Sequence, residues 1–322
     1  MRTLWQIMRP PPDAGRRIQA AHQVWMALAL TGLGCCIGVL SLLFAATAYV
    51  KLNSTDLLRS YLSSPLLLAL NLLPPVLLVW LFYFLSRRAW VGFLGSFLPS
   101  IGVTLANYYK IRLRSDPLLA TDLRLAAEAG GIVGGYTLDL TWLVWFALGC
   151  FLAGLLFSIF LMPQGIRGWR ERSFGALSCL ALMAVALTGP CFSPALYSKT
   201  GSSQLINPWS DVEVFVSKGC IYPFLHSFQD MFPTPPAGYS KAQAAAQLDA
   251  YPDSGIPEGQ KVSVMGIMLE AFCDLTDFEV LAGQEGVAQV YAPWHELEAR
   301  SVSGDLLTNI FAGGTVDTEW AF

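Results

Sequence analysis

Charged residues are scarce in this sequence, because Asp, Glu, Lys and Arg make up only 13% of its 322 residues and the net charge is −3. Nucleic-acid binding proteins usually concentrate positive charge, so we expect no nucleic-acid partner. The seven cysteines show no CxxC spacing, which indicates neither a disulfide framework nor a zinc site. We expect them to be buried packing residues.

Hydrophobic residues are abundant instead, at 54% of the chain with a mean hydropathy of +0.49. A membrane-spanning helix needs about 20 mostly apolar residues. Residues 1–197 hold five such stretches, at about 24–50, 66–85, 90–108, 140–161 and 174–193. The first stretch is too long for a signal-peptide core, so we interpret it as a retained span. The second contains Pro74 and Pro75, and we expect a kink there.

The distribution of Lys and Arg predicts the orientation in the membrane. With the N-terminus in the cytoplasm, the inner segments carry nine of these residues and the outer loops carry six. Five spans then place everything after Tyr197 outside the cytoplasm. The sequence predicts a multi-pass protein of the plasma membrane with an extracytoplasmic C-terminal domain.

Residues 109–139 are too polar to span the membrane. Helical spacing of apolar residues from Thr121 onward indicates an amphipathic helix between two spans. This extracytoplasmic loop is either a plain surface helix or a lid beneath a catalytic domain.

The second half has the composition of a soluble domain. Residues 198–258 predict a juxtamembrane linker, and residues 259–322 begin the extracytoplasmic domain. The run KVSVMGIML, Lys261 to Leu269, predicts a buried parallel strand. It ends in Glu270, which either caps the next turn or faces the crevice where ligands of α/β sheets bind.

The segment FAGGTVDTEWAF, residues 311–322, contains two glycines before a threonine. Gly313 and Gly314 would let the backbone approach a ligand closely. Thr315 is either the N-cap of a helix or a nucleophile whose hydroxyl is activated by a metal.

Together these segments resemble the lipoteichoic acid synthase family of membrane-anchored sulfatase-like enzymes. Five N-terminal spans precede the extracytoplasmic domain, as in the family. RSDPLLATDL (114–123) is similar to the family's R-G-E-P-L-L-x-S-D-L, and VMGIMLEAFCDLTDF (264–278) is similar to V-I-V-I-M-x-E-S-F-x-D-L. FAGGTVDTEWAF is close to F-G-G-G-T-A-N-T-E-F-E-F. The departures at four positions remove no expected ligand: Ala271, Ala312, Val316 and Asp317.

The resemblance implies a function and a site. Thr315 would be the catalytic nucleophile, and Glu270 and Thr315 would bind a divalent cation, Mn²⁺ or alternatively Mg²⁺; Gly313 and Gly314 would lie near the substrate. The enzyme would transfer glycerol phosphate from phosphatidylglycerol to a polyglycerolphosphate or glycolipid acceptor, through a glycerophosphoryl-threonine intermediate. The implied fold is a five-span α-helical membrane domain followed by the beginning of an α/β domain like those of alkaline phosphatases and sulfatases.

The family completes its metal site with an Asp-His pair downstream of the threonine and uses another His to bind phosphate. The sequence has only His22, His226 and His295, all upstream, and we expect each to be a non-ligating residue. We therefore expect a truncated, inactive chain of the enzyme. The alternatives are a related transferase or hydrolase, for example of phosphoethanolamine, and a non-enzymatic membrane sensor or binding protein.

Overall fold

The structure is a computed structural model, and the chain divides into two units, Met1–Thr234 and Pro235–Phe322. It describes residues 2–11, 14–125, 139–162, 168–201, 206–231, 235, 238–250, 255, 257–263, 265–267, 269 and 272–304. The described residues are mostly helical, and none of them lies in a strand.

Ten α-helices are described in the first unit. They are α1 Arg2–Met8, α2 Arg16–Ala48, α3 Ser54–Ser63, α4 Pro65–Ser86, α5 Ala89–Arg114, α6 Trp142–Phe160, α7 Trp169–Ala186, α8 Pro194–Lys199, α9 Asp211–Ser217 and α10 Ile221–His226. A π-helical turn, Leu187–Cys191, extends α7, and 3-10 turns occur at Ala120–Leu125 and Ser227–Met231.

Five of these helices are long and apolar enough to cross a membrane, which confirms the predicted number of spans. They are α2, α4, α5, α6 and α7 with its π-helical turn. The ends differ from the prediction because capping sets them. Helix α4 begins at Pro65 after the Ser64 cap, and α5 continues to Arg114, where Ser115 adopts a left-handed conformation (φ 54°) and its N–H bonds to the Ile111 carbonyl.

Helices α2, α4 and α5 pack against one another and form the centre of the bundle. Glycine allows the closest approach: a Cβ added to Gly34 of α2 would lie 2.5 Å from the Cα of Val76 on α4. The buried share of the most apolar 18-residue stretch differs between the helices. Half of this stretch is buried in α2 (50%), but only 17% of it is buried in α6 and 22% in α7. The last two spans therefore form the periphery of the bundle.

An apolar cavity of about 160 Å³ lies within this unit. It borders Pro74 of α4, Pro99 of α5 and the π-helical turn after α7, and α10 contributes Phe224 to its lining. Its walls present hydrocarbon almost throughout, so it suits an apolar rather than a polar occupant.

The segment after the fifth span, residues 194–231, is called the connector below and is more than the linker expected from the sequence. Its helices α9 and α10 pack into the core of the first unit, and Val216, Cys220 and Tyr222 have no exposed surface. The sequence did not indicate this, because the apolar residues of 211–226 are interspersed with turn formers in two helices of seven and six residues.

The second unit contains helices α11 Lys241–Asp249, α12 Glu279–Ala282 and α13 Glu285–Glu298 among its described residues. Ser240 caps α11 by accepting a hydrogen bond from the Gln243 amide. The α/β sheet expected from the sequence is not shown. The described residues of 261–269 form no strand, and Val262, Met265 and Ile267 are more than 70% exposed. A strand needs a neighbour for its backbone groups, and the described part of the chain offers none.

Candidate functional site

The four predicted site residues, Glu270, Gly313, Gly314 and Thr315, lie outside the described residues. Their roles therefore stay predictions. The described residues closest to Glu270 in the sequence are Leu269 and Phe272, and the loop from Phe272 onward shows how this segment packs.

This loop is held against α13 by aromatic and polar contacts. The ring of Phe272 lies 4.5 Å from that of Trp294, measured between centroids, and the Tyr291 hydroxyl donates to the Cys273 carbonyl at 2.7 Å. Asp274 then caps the turn Leu275–Asp277, since its Oδ1 accepts hydrogen bonds from the amide and the hydroxyl of Thr276. The backbone around Asp274 is thereby fixed relative to the helix.

His295 of α13 points its Nε2 toward this cap. The nitrogen lies 2.6 Å from Oδ2 of Asp274 and 3.1 Å from the Thr276 hydroxyl. Hydrogen bonds from Thr276 are the largest cause that holds the pKa of Asp274 below its ordinary value, and the contact with His295 adds to the effect. Glu298 completes a group of three, because one ligand atom from each of Asp274, His295 and Glu298 lies within 4.8 Å of the others. Sequence reasoning missed this group, although the i, i+3 spacing of His295 and Glu298 on one helix face was a signal.

The motif RSDPLLATDL forms an ordered turn at one end of the bundle. The ammonium of Lys110 lies 2.7 Å from Asp116 and 2.8 Å from Asp122, and it also donates to the Pro117 carbonyl. Asp122 accepts a further hydrogen bond from the Leu119 amide. One lysine of α5 therefore holds both acidic residues of the motif.

A second anchor joins the same turn to α5 and to the end of the connector. The buried Asn107 accepts from the Leu118 amide at 2.9 Å, and the buried Ser227 accepts from the Ala120 amide at 2.8 Å. The predicted amphipathic α-helix begins here as the 3-10 turn Ala120–Leu125, because the Asp122 cap and these two contacts shape a tighter backbone. Residues 126–138 lie outside the described part.

A buried cation lies in the connector. Lys218 is only 4% exposed; its ammonium donates to the Thr200 carbonyl and lies 4.5 Å from the centre of the Tyr197 ring. Burial lowers the pKa of Lys218 to about 8. Tyr197 also contacts His226, whose ring stacks on it with the ring centres 3.7 Å apart and whose Nδ1 lies 2.6 Å from the Cys191 carbonyl.

The histidines outside the second unit are thus engaged in structural contacts. His22 also has a partner, since its Nδ1 lies 2.8 Å from the Ile7 carbonyl. The expectation that His22 and His226 bind no metal stays a prediction. His295 differs from them because its Nε2 contacts Asp274, a potential metal ligand, and Thr276, which is hydrogen-bonded to Asp274.

No protein-family model, curated protein or solved structure matches this chain. The resemblance to the lipoteichoic acid synthase family therefore rests on the five spans and the three sequence motifs. Of these features, the spans and the RSDPLLATDL turn belong to the described part of the chain, whereas the motifs around Glu270 and Thr315 are described only in part or not at all.

Proposed function

We propose that this chain belongs to a membrane-bound transferase that moves glycerol phosphate from phosphatidylglycerol to a cell-envelope polymer. The observation that carries the proposal is the order of the sequence motifs: five spans, then Glu270 after an apolar run, then the glycine-rich segment with Thr315. The five apolar helices support a substrate drawn from a bilayer.

The chemistry follows from the residue types. The Thr315 hydroxyl attacks the phosphorus of the lipid, the bond from phosphorus to the diacylglycerol oxygen breaks, and diacylglycerol leaves with the proton. A hydroxyl of the acceptor then attacks the glycerophosphoryl-threonine and frees Thr315. Gly313 and Gly314 leave room for the phosphate beside the backbone.

Glu270 and Thr315 are the residues that would hold a cation in this chain. A carboxylate and a hydroxyl oxygen suit a hard divalent ion such as Mn²⁺ or Mg²⁺. Such ions take about six oxygen ligands, so Glu270 and Thr315 provide only part of the coordination. When bound, the cation lowers the pKa of the hydroxyl and neutralises charge on the phosphoryl group. The role of Glu270 is to fix the ion beside the nucleophile.

The proposed orientation places the second unit outside the cytoplasm. The excess of Lys and Arg in the predicted inner segments supports a cytoplasmic N-terminus. In that orientation the RSDPLLATDL turn lies on the outer side of the membrane. Phosphatidylglycerol would then be taken from the outer leaflet, on the same side as Thr315.

The test is turnover of a fluorescent phosphatidylglycerol by the purified protein, expressed from the complete reading frame that contains this sequence. We expect Mn²⁺-dependent release of fluorescent diacylglycerol. Thr315→Ala should reduce the rate at least ~1000-fold, because the nucleophile is lost. Thr318→Ala is the matched control, since it removes a hydroxyl from the same segment and should retain turnover.

Three other results would each overturn part of the proposal. Full activity in Thr315→Ala would remove the threonine from the mechanism. Turnover of phosphatidylethanolamine instead would identify a phosphoethanolamine transferase of the same fold. A stop codon directly after Phe322, together with no turnover of either lipid, would favour a membrane sensor or binding protein.

A further inference from the structure

The group formed by Asp274, His295 and Glu298 is separate from the residues assigned to phosphoryl transfer. Asp274 belongs to the turn after Phe272, whereas His295 and Glu298 lie three residues apart on α13. Residues at this spacing share one face of a helix. A loop ligand and two helix ligands therefore converge, with one ligand atom of each within 4.8 Å of the others.

The surroundings hold these side chains in place. Thr276 occupies Oδ1 of Asp274 with two hydrogen bonds, which leaves Oδ2 directed at His295. The Tyr291 hydroxyl, about one turn before His295, and the Phe272–Trp294 contact, directly before it, fix the loop against the helix. Hydrogen bonds of this kind orient the ligands of metal sites and fix their geometry.

The closest pair of ligand atoms needs only a small movement to hold a small ion. In a tetrahedral zinc site with bonds of 2.0–2.1 Å, two ligand atoms are about 3.3 Å apart. The 2.6 Å between Nε2 of His295 and Oδ2 of Asp274 would widen by less than 1 Å, which a small rotation of the half-exposed imidazole allows. The Nε2 proton would leave as the ion binds.

We propose that Asp274, His295 and Glu298 bind a Zn²⁺ ion. One imidazole nitrogen and two carboxylate oxygens form a ligand set that suits zinc better than the all-oxygen set that Mn²⁺ and Mg²⁺ prefer. The exposed side of His295 leaves the fourth position to water. The ion ties the loop that runs from Phe272 to Asp274 to α13, and this role does not depend on the proposed transferase activity.

The test is a zinc titration of the full chain in detergent micelles, after removal of metals with a chelator. Zn²⁺ is added in competition with a chromophoric chelator, and one tight equivalent per chain is expected. His295→Ala should abolish this equivalent. Glu298→Gln, which conserves side-chain size, should weaken it at least ~10-fold.

Two matched controls keep the result specific. Glu296→Gln removes a carboxylate from the same helix that pairs with Arg300 rather than with the group, and it should bind zinc like the wild type. Glu270→Gln removes the proposed catalytic ligand and should also leave this zinc in place, so that failure of the two proposals can be told apart. Helix content by circular dichroism verifies that each variant is folded.

The proposal is overturned if the wild type takes up no tight zinc. It is equally overturned if Glu298→Gln and Glu296→Gln bind zinc with the same stoichiometry and affinity. Loss of zinc in Glu270→Gln alone would assign the ion to the catalytic site instead.

Discussion

Asn71 is a polar residue with no exposed surface in the first half of the span α4, and its side-chain amide joins this span to the connector. The Nδ2 group donates to the carbonyls of Leu67 and Lys218 at 3.0 and 2.9 Å. The Oδ1 atom accepts from the amides of Cys220 and Tyr222 at 3.3 and 3.2 Å. One side chain thus satisfies three buried backbone groups of the connector, which would otherwise face hydrocarbon.

Replacement of Asn71 by alanine should destabilise the first unit by about 2–5 kcal/mol, because each buried group that loses its partner costs about 1–3 kcal/mol and water can relieve part of this. The measurement is unfolding in detergent micelles by titration with denaturant. Asn53→Ala is the control: Asn53 only caps the exposed start of α3, and its loss should cost about 1 kcal/mol. Equal effects of the two variants would contradict the assigned role.

Lys218 makes the stability of the first unit depend on pH. Its pKa is about 8 in the folded protein and 10.5 when the side chain is free in water, as in the unfolded chain. Above pH 8 the folded protein therefore loses the proton of Lys218 while the unfolded chain keeps it. Stability should therefore rise as the pH increases from about 8 toward 9. Above pH 9 the trend should weaken, because burial raises the pKa of the Cys220 thiol to about 12 and the unfolded thiol ionises first.

The check on this prediction is the melting temperature in micelles between pH 7 and 9. Lys218→Met should remove the rise, whereas Lys199→Met, with a lysine at the end of α8, should keep it. A wild-type melting temperature that stays level or falls over this interval would contradict a buried ammonium.

At the scale of the helices, the contact between α2 and α4 depends on small residues. Gly34 and Gly38 are four residues apart on α2, and added Cβ atoms would lie 2.5 Å from Val76 and 3.0 Å from Leu72. Small residues at this spacing let membrane helices approach closely and pack by van der Waals contact. The two glycines thus set the distance between the central spans.

Gly34→Ala should destabilise the bundle by about 1–3 kcal/mol, because the new methyl group would overlap the α4 backbone. Gly32→Ala provides a matched control on the same helix, since nothing lies within 4 Å of an added Cβ there. The control should be neutral or stabilising by up to about 1 kcal/mol, because alanine favours helix. Thermal unfolding of both variants in the same detergent measures the difference, and a neutral Gly34→Ala would rule out the close contact.

Sequence predicted the spans well and the surrounding elements poorly. Continuous apolar runs revealed all five spans, because hydropathy alone defines them. The extension of α5 to Arg114 was missed, since its last residues are charged and the turn is closed by the backbone of Ser115. The packing of Tyr222 and Val216 was also missed. No local sequence pattern indicates that this segment forms hydrogen bonds with Asn71, about 150 positions earlier.

The residues of the two candidate sites differ in how far the sequence predicts them. Short motifs suggested Glu270 and Thr315 without any structure, because their residue types and order match a known family. Spacing on α13 could suggest His295 and Glu298, but the approach of Asp274 depends on a turn and on the Phe272–Trp294 contact, which only the fold displays.

For the whole molecule, the proposed orientation can be checked with a native thiol. Cys273 is exposed in the second unit, whereas the cysteines of the spans and the connector lie within the membrane unit. A membrane-impermeant maleimide should label Cys273 in intact cells, and Cys273→Ser should lose the label. Labelling that occurs only after the membrane is permeabilised would place the second unit in the cytoplasm and contradict the proposed topology.

The Asn71 contacts also impose an order in time on synthesis. Asn71 and Tyr222 are 151 positions apart, so at roughly 5–20 residues per second α4 exists for about 8–30 s before its last partner is made. Throughout this interval the amide can bond within α4 only through the Leu67 carbonyl. The contacts between Asn71 and the connector therefore form late, after the connector has left the ribosome.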